Sequence, residues 1–288
     1  MTSMETPTHI LVSRDGPIAT ITFNRPEKLN AVTRQTIEEF IVALSSVDND
    51  DSVRAVIVTG TGRAFCAGAD VSAGFGLSIT GNPATGEGVD HDPGGLATLR
   101  LFDMSKPVIG AVNGPAVGFG ATVLLPMDCR VTTDAARFAF PFPRRAILPE
   151  SCSSWFLPRL VGISTALRWM LPGATFDAAE ALRGGMVQEI VTPDLLLTRA
   201  RDIAMEMISD TSPLSVALTR KLLWHMLGAD HPMRAHALES RGLVACLTGT
   251  DSAEGWKSFL EKRKPEFRSS PSRDMEFTTS WFVPPEFP

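Results

Sequence analysis

The chain has 288 residues, 44% hydrophobic and 20% charged, enough for one large domain or two small ones and too rich in apolar residues for a disordered, collagen-like or disulfide-scaffold protein. Lysine and arginine number 27 against 32 aspartates and glutamates, a net charge of −5, so composition does not force a polyanion-binding surface. Tyrosine is absent, which removes its phenol from any catalytic scheme, and residues 107–127 carry no charge at all.

In chain order, residues 9–14 and 18–24 read as two short strands around the turn signal Asp15-Gly16-Pro17. A helix begins at Thr33, with Ile37, Phe40, Ile41 and Leu44 at helical spacing, and the apolar run 53–59 reads as a buried strand. A glycine-rich segment runs from Gly60 to Asp70. Residues 74–95, with seven glycines, two prolines and neither lysine nor arginine, read as a long loop. Next come a buried strand over 107–112, a short helix over 119–125, and strands over 130–133 and 137–140. Helices are expected over 150–160 and 164–171, a strand over 187–191, and almost continuous helix from 194 to 264. Residues 269–288 are Ser- and Pro-rich, with exposed-looking Trp281 and Phe282; they form a tail whose order would depend on docking. Strands alternating with helices, then helices alone, indicate an α/β core with a helical C-terminal part.

Cys66, Cys129, Cys152 and Cys246 form no CxxC pair, so reduced thiols in a cytoplasmic protein are expected in place of a zinc site or disulfide framework. Residues 1–9 include Glu5 and Pro7 and do not read as a signal peptide. The charge-free run is long enough to span a bilayer, but Gly110, Gly114, Gly118, Gly120, Pro115 and Pro126 weaken a continuous helix, and a soluble protein is favoured. No GxGxxG, P-loop, GxSxG or HExxH pattern occurs. His231 and His236, with Pro232 between them, are poorly placed for a shared metal, and Cys66 reads as a packed small residue.

Two segments carry the chemistry. Arg63-Ala64-Phe65-Cys66-Ala67-Gly68-Ala69-Asp70-Val71 and Asn113-Gly114-Pro115-Ala116-Val117-Gly118-Phe119-Gly120 each follow a buried strand with small residues. Such turns let backbone approach a ligand closely while leaving N–H groups free to donate, and two side by side would form an oxyanion hole. Together with the phrases spanning Asn24 to Ala31 and Phe259 to Lys264, they resemble the crotonase (enoyl-CoA hydratase/isomerase) superfamily over roughly residues 8–268. The resemblance implies an α/β fold, a spiral of ββα units with a helical C-terminal trimerisation region. The corresponding division is a spiral core over 1–193, a helical oligomerisation region over 194–268 and a tail over 269–288. It also implies an acyl-CoA thioester substrate, with coenzyme A belonging to the substrate and no separate cofactor or metal, and a homotrimer or dimer of trimers.

By the same resemblance, the N–H groups of Ala69 and Phe119 bind the thioester oxygen. Ala67, Gly68, Asp70, Val71 and Gly118 belong to the binding turns, with Asp70 shaping its own. Arg25, Lys28, Phe259 and Lys262 stand where the family contacts CoA, the last two across a subunit boundary. Hydratases of the family handle water between two glutamates; here those positions are Thr122 and Phe142. One carboxylate lies close by, Glu150 in Leu148-Pro149-Glu150-Ser151, a stretch similar to the Δ3,Δ2-enoyl-CoA isomerase branch. Phe140, Phe142, Trp155 and Phe156 are candidates for an acyl channel whose burial would raise the Glu150 pKa, while a place at the start of a helix would lower it. The leading expectation is therefore an isomerase moving a 3-enoyl-CoA double bond to trans-2-enoyl-CoA. A hydratase or related lyase of fatty-acid degradation and a catalytically silent acyl-CoA-binding protein are the alternatives.

Overall fold

The protein is described by a computed structural model covering residues 8–72 and 79–287. Strands β1 (Ile10–Asp15) and β2 (Ile18–Phe23) form an antiparallel hairpin. Gly16 turns it at φ +58°, a left-handed conformation that a two-residue loop needs and glycine adopts without a Cβ clash. Helix α1 (Arg34–Asn49) starts in a capping box, Thr33 and Thr36 each accepting the other's backbone N–H.

There follow β3 (Ala55–Gly60), α2 (Pro93–Phe102), β4 (Val108–Val112), β5 (Ala116–Val117), α3 (Phe119–Thr122), β6 (Cys129–Thr133) and β7 (Arg137–Ala139). Next are α4 (Ser153–Val161), α5 (Ile163–Met170), β8 (Phe176–Asp177), α6 (Ala178–Arg183) and β9 (Glu189–Val191). Helices α7 (Leu196–Ile208), α8 (Pro213–Met226), α9 (Pro232–Thr248), α10 (Thr250–Glu261) and the short α11 (Pro271–Asp274) complete the order.

Six strands make one sheet in the order β1-β2-β3-β4-β6-β9, parallel throughout after the first hairpin. Strands β5, β7 and β8 make a smaller second sheet. Because side chains alternate along a strand, the large sheet buries two different faces. Ile21, Phe23, Val56, Val58 and Val112 meet Ile37, Phe40 and Leu44 of α1 and Leu101 of α2. Ile18, Ile57, Ile109, Ala111 and Val131 meet Leu196, Ala200, Ile203 and Ala204 of α7. The sheet core thus extends past residue 193 to Ile208.

Three local expectations are corrected. Of the loop expected over 74–95, residues 74–78 lie outside the described residues, and it ends earlier than expected, because α2 begins at Pro93 and includes Gly94 and Gly95. Two glycines disfavour a helix, but Asp92 accepts the N–H groups of both and Pro93 sits at the first helical position, where it lacks no needed donor. The helix expected from Glu150 begins instead at Ser153, since Ser151 (φ +56°) and Cys152 (φ +54°) are left-handed and cannot continue one. In the tail, Trp281 is 5% exposed and packs with Met275 against Leu214, Leu218 and Leu238, burying the aromatic surface that the sequence left looking exposed. Phe282 stacks on His225 and Phe287 on His91, with ring centroids 4.4 and 3.9 Å apart.

The charge-free run 107–127 is not a span. It folds as β4, β5 and α3 with the turns around them, almost wholly buried. Among the described residues no helix is long and apolar enough to cross a membrane.

Candidate active site

The two glycine-containing turns lie against each other. Cys66 and Ala116 form a parallel bridge, Pro115 accepts the N–H groups of Phe65 and Cys66, and Cys66 accepts that of Val117. The fit is backbone to backbone: a Cβ at Gly120 would fall on the Cys66 carbonyl, and one at Gly68 would come within 2.9 Å of the Val117 carbonyl. Gly68 (φ +98°) therefore needs glycine for both space and conformation, and Gly118 (φ +55°) for conformation. The neighbouring Ala67, Asp70 and Gly118 N–H groups are spent on Leu29, Val32 and Ala139. Those of Ala69 and Phe119 have no acceptor among the described residues. Phe119 is moreover the first residue of α3, where N–H groups lack helical partners.

Glu150 meets α3 at Thr122. Thr122 donates its hydroxyl to Oε1 (3.1 Å) and Ser151 donates to Oε2 (2.7 Å). A Cβ at Gly94 would stand 2.7 Å from Oε2 and 3.2 Å from the Phe119 ring, so α2 presses its glycine on the carboxyl from a third side. Burial first, and then the Asp92 charge, push the Glu150 pKa up to about 7; the Ser151 and Thr122 hydroxyls pull the other way. The question left by the sequence is answered in favour of burial, because Glu150 precedes its helix and does not begin it. The residues that replace the second carboxylates, Thr122 and Phe142, are both buried.

Arg25 braces the Ala69 turn from outside, pairing with Asp70 (2.9 Å) and donating to the Ala31 carbonyl. Asp70 also accepts the Ser72 hydroxyl and N–H, and these bonds, with Arg25 after them, hold its pKa down at about 2. Its carboxylate thus ties Ser72 and Arg25 to this turn. Lys28 and Val71 are exposed at the rim of this turn. Of the four aromatic channel candidates, Phe140, Phe142 and Phe156 are packed into the core, and Trp155 alone keeps accessible ring surface. Phe259 and Lys262 are exposed at the end of α10, with no described contact to either turn. Cys66 is fully buried and its thiol is pushed up to about 12, which removes it as a nucleophile. His231 caps α9 by accepting the Met233 N–H, and among the described residues no group of three His, Cys, Asp or Glu side chains could hold a metal. Clefts of about 580 Å³ between α8 and α10 and about 490 Å³ beside β8 and α6 are lined by none of Ala69, Phe119 and Glu150.

Sequence reasoning missed Asp92. It accepts three N–H groups, from Gly94 (3.0 Å), Gly95 (2.9 Å) and Ser151 (2.7 Å). The Asp92-Pro93 pair was the available signal, an N-cap residue followed by proline at the first helical position.

Two apposed turns with unspent N–H groups beside one buried carboxyl define a site for polarising a carbonyl and moving a proton at a neighbouring carbon. The sequence profile of the enoyl-CoA hydratase/isomerase family matches residues 13–270, and the chain belongs to that family. It is 38% identical over 262 residues to the enoyl-CoA hydratase ACTT3 of Alternaria alternata, covering 89% of this chain and 86% of the relative. It is 33% identical to the short-chain-enoyl-CoA hydratase of Clostridium acetobutylicum, covering 90% of this chain and 97% of that protein. A probable enoyl-CoA hydratase/isomerase from Mycobacterium abscessus superposes with a TM-score of 0.80 at 28% identity, over 92% of this chain and all of the other. The spiral α/β core is thus the crotonase fold, and the protein is an acyl-CoA enzyme of this superfamily.

Proposed function

We propose that the protein is an enoyl-CoA isomerase that converts 3-enoyl-CoA to trans-2-enoyl-CoA with Glu150 as its single base. The Ala69 and Phe119 N–H groups receive the thioester oxygen. Ionised Glu150 removes a proton from C2, the electron pair spreads into a dienolate whose charge rests on that oxygen, and protonated Glu150 returns the proton at C4. Substrate and product are isomers, so the step needs no water and no cofactor beyond the coenzyme A that the substrate carries. A carboxyl with a pKa near 7 accepts and gives back a proton without a large penalty in either direction. An oxyanion-hole donor contributes about 3–4 kcal/mol to such a transition state.

The observation that carries this reading is one buried, near-neutral carboxyl where two-glutamate hydration would need a second, at Thr122 or Phe142. The second reading is an enoyl-CoA hydratase with Glu150 alone handling water, favoured by the names of the fungal and clostridial relatives. Purified protein should isomerise 3-hexenoyl-CoA, and Glu150→Gln should lower kcat by roughly 10²–10⁴-fold with little change in KM. Glu150→Gln at the wild-type rate would sink the base assignment. Hydration of crotonyl-CoA without isomerisation would favour the second reading, and calorimetric binding of CoA thioesters with neither turnover would leave a silent binder.

A further inference from the structure

We propose that Asp92 is a positioning residue for Glu150: by accepting the Ser151 N–H, its carboxylate holds the left-handed turn that presents the Glu150 carboxyl beside α3. This deepens the isomerase reading and rests on Glu150 being its base.

The geometry is specific. Two consecutive non-glycine residues, Ser151 and Cys152, occupy left-handed backbone immediately after Glu150, a conformation that costs each of them about 1 kcal/mol or more. Such a turn persists only where its surroundings fix it. Here the Ser151 N–H is bound by Asp92 at 2.7 Å, the Ser151 carbonyl accepts the Thr98 hydroxyl at 3.0 Å, and the Glu150 carbonyl accepts the Ser153 N–H. Asp92 and Thr98 both belong to the α2 segment, 59 and 53 residues from Ser151 in sequence. Helix α2 therefore acts as a splint, seating Gly94 against the carboxyl while its cap grips the backbone next door.

Asp92 differs from an ordinary helix cap in its third bond. The Gly94 and Gly95 N–H groups would satisfy an N-cap, whereas the Ser151 N–H belongs to another segment and follows directly from the base. The ionisable groups facing Glu150 are Asp92 from α2, Cys66 from the turn after β3 and Cys152 from the turn before α4; α3 contributes none. No cation among them balances the carboxyl, so Asp92 supplies the local charge as well as the grip.

Asp92→Asn and Asp92→Ser test the assignment, since both residues cap helices well and keep α2 supported. Serine is too short to reach Ser151; asparagine keeps the shape and removes the charge. Each variant should lower kcat for 3-hexenoyl-CoA roughly 10–100-fold, the scale of a base displaced by about 1 Å, with KM within about threefold of wild type. In both, the acidic limb of the kcat profile should move to lower pH, because loss of the Asp92 charge makes Glu150 easier to ionise. Infrared difference spectra of Asp92→Asn against Asp92→Asn/Glu150→Gln follow the carboxyl without turnover and should show the same displacement.

Wild-type kcat and an unmoved acidic limb in both variants would overturn the proposal, as would a lowered melting temperature with neither kinetic change. Glu150→Gln separates the two levels. If it is inactive while the Asp92 variants behave as wild type, the positioning role alone fails; if it is fully active, the isomerase reading fails with it.

Discussion

A carboxyl taken out of water and given, among the described residues, two hydroxyl donors holds its proton harder than one in solvent, and Glu150 is such a group. Its pKa rises from 4.5 to about 7 on folding, so the folded chain binds a proton that the unfolded chain has released across that interval. The sign follows: on Glu150's account, stability is greatest below about pH 4.5 and is lost as the pH rises through about 7, by about 3 kcal/mol in full. Glu150→Gln cannot ionise and escapes this loss. Its melting temperature should exceed that of wild type at pH 8 and converge on it near pH 4.5; a constant difference across that range would count against a buried ionising Glu150. The residue that would do the chemistry is then also one that the fold would be more stable without.

Helix α2 connects that residue to the rest of the molecule. Asp92 holds its first turn, and Arg220 of α8 closes its last, donating to the carbonyls of Leu101 (2.9 Å), Phe102 (3.0 Å) and Met104 (2.6 Å). Arg220 is buried and also pairs with Asp128 (2.8 Å), which in turn accepts the Val108 N–H and the Trp224 indole N–H. A cation at a helix C-terminus satisfies orphan carbonyls and complements the dipole. Arg220→Met should cost about 3–5 kcal/mol, because it leaves the Asp128 carboxylate without its charge partner and these carbonyls without donors. The midpoint of urea unfolding would show it, and an unchanged midpoint would mean that α2 is held by packing alone.

Elements whose patterns are local were legible in the sequence. The β1–β2 hairpin declares itself through Asp15-Gly16-Pro17, α1 through its apolar spacing, and the two glycine turns through their small residues after buried strands. Helix α2 was not legible, because Gly94 is small for the sake of Glu150 and Ser151, a contact between segments more than fifty residues apart, and Gly95 for its cap Asp92. The same distance hid Asp92. Trp281 looked exposed because its partners, Leu214 and Leu238, lie on helices that the tail meets only in the folded chain.

At the scale of the whole molecule, the C-terminal helices leave apolar surface uncovered. Leu243, Val244 and Leu247 of α9 and Trp256, Phe259 and Leu260 of α10 are each exposed over more than half their surface. Single chains rarely present so much apolar surface, and the trimer that the family resemblance implies would cover it. Light scattering should give the mass of three chains or six, and Leu247→Asp combined with Leu260→Asp should shift it towards one. A wild-type mass of one chain would sink this reading, and Phe259 and Lys262 would then lose their route to a neighbouring site.

The aromatic cluster around Phe102 and Phe156 has an optical consequence. Trp155 meets Phe102 and Phe156, and Trp224 meets the same two rings. With no tyrosine and five tryptophans in the chain, intrinsic emission excited near 280 nm comes essentially from indole, and Trp155 is the indole nearest in sequence to Glu150. Arg159 stacks 4.0 Å over its ring, leaving it half-buried and responsive to what lies next to it. Trp155 is therefore the indole to test as a reporter of the site. A change of emission on adding a CoA thioester, lost in Trp155→Phe, would follow occupancy of the site without any label.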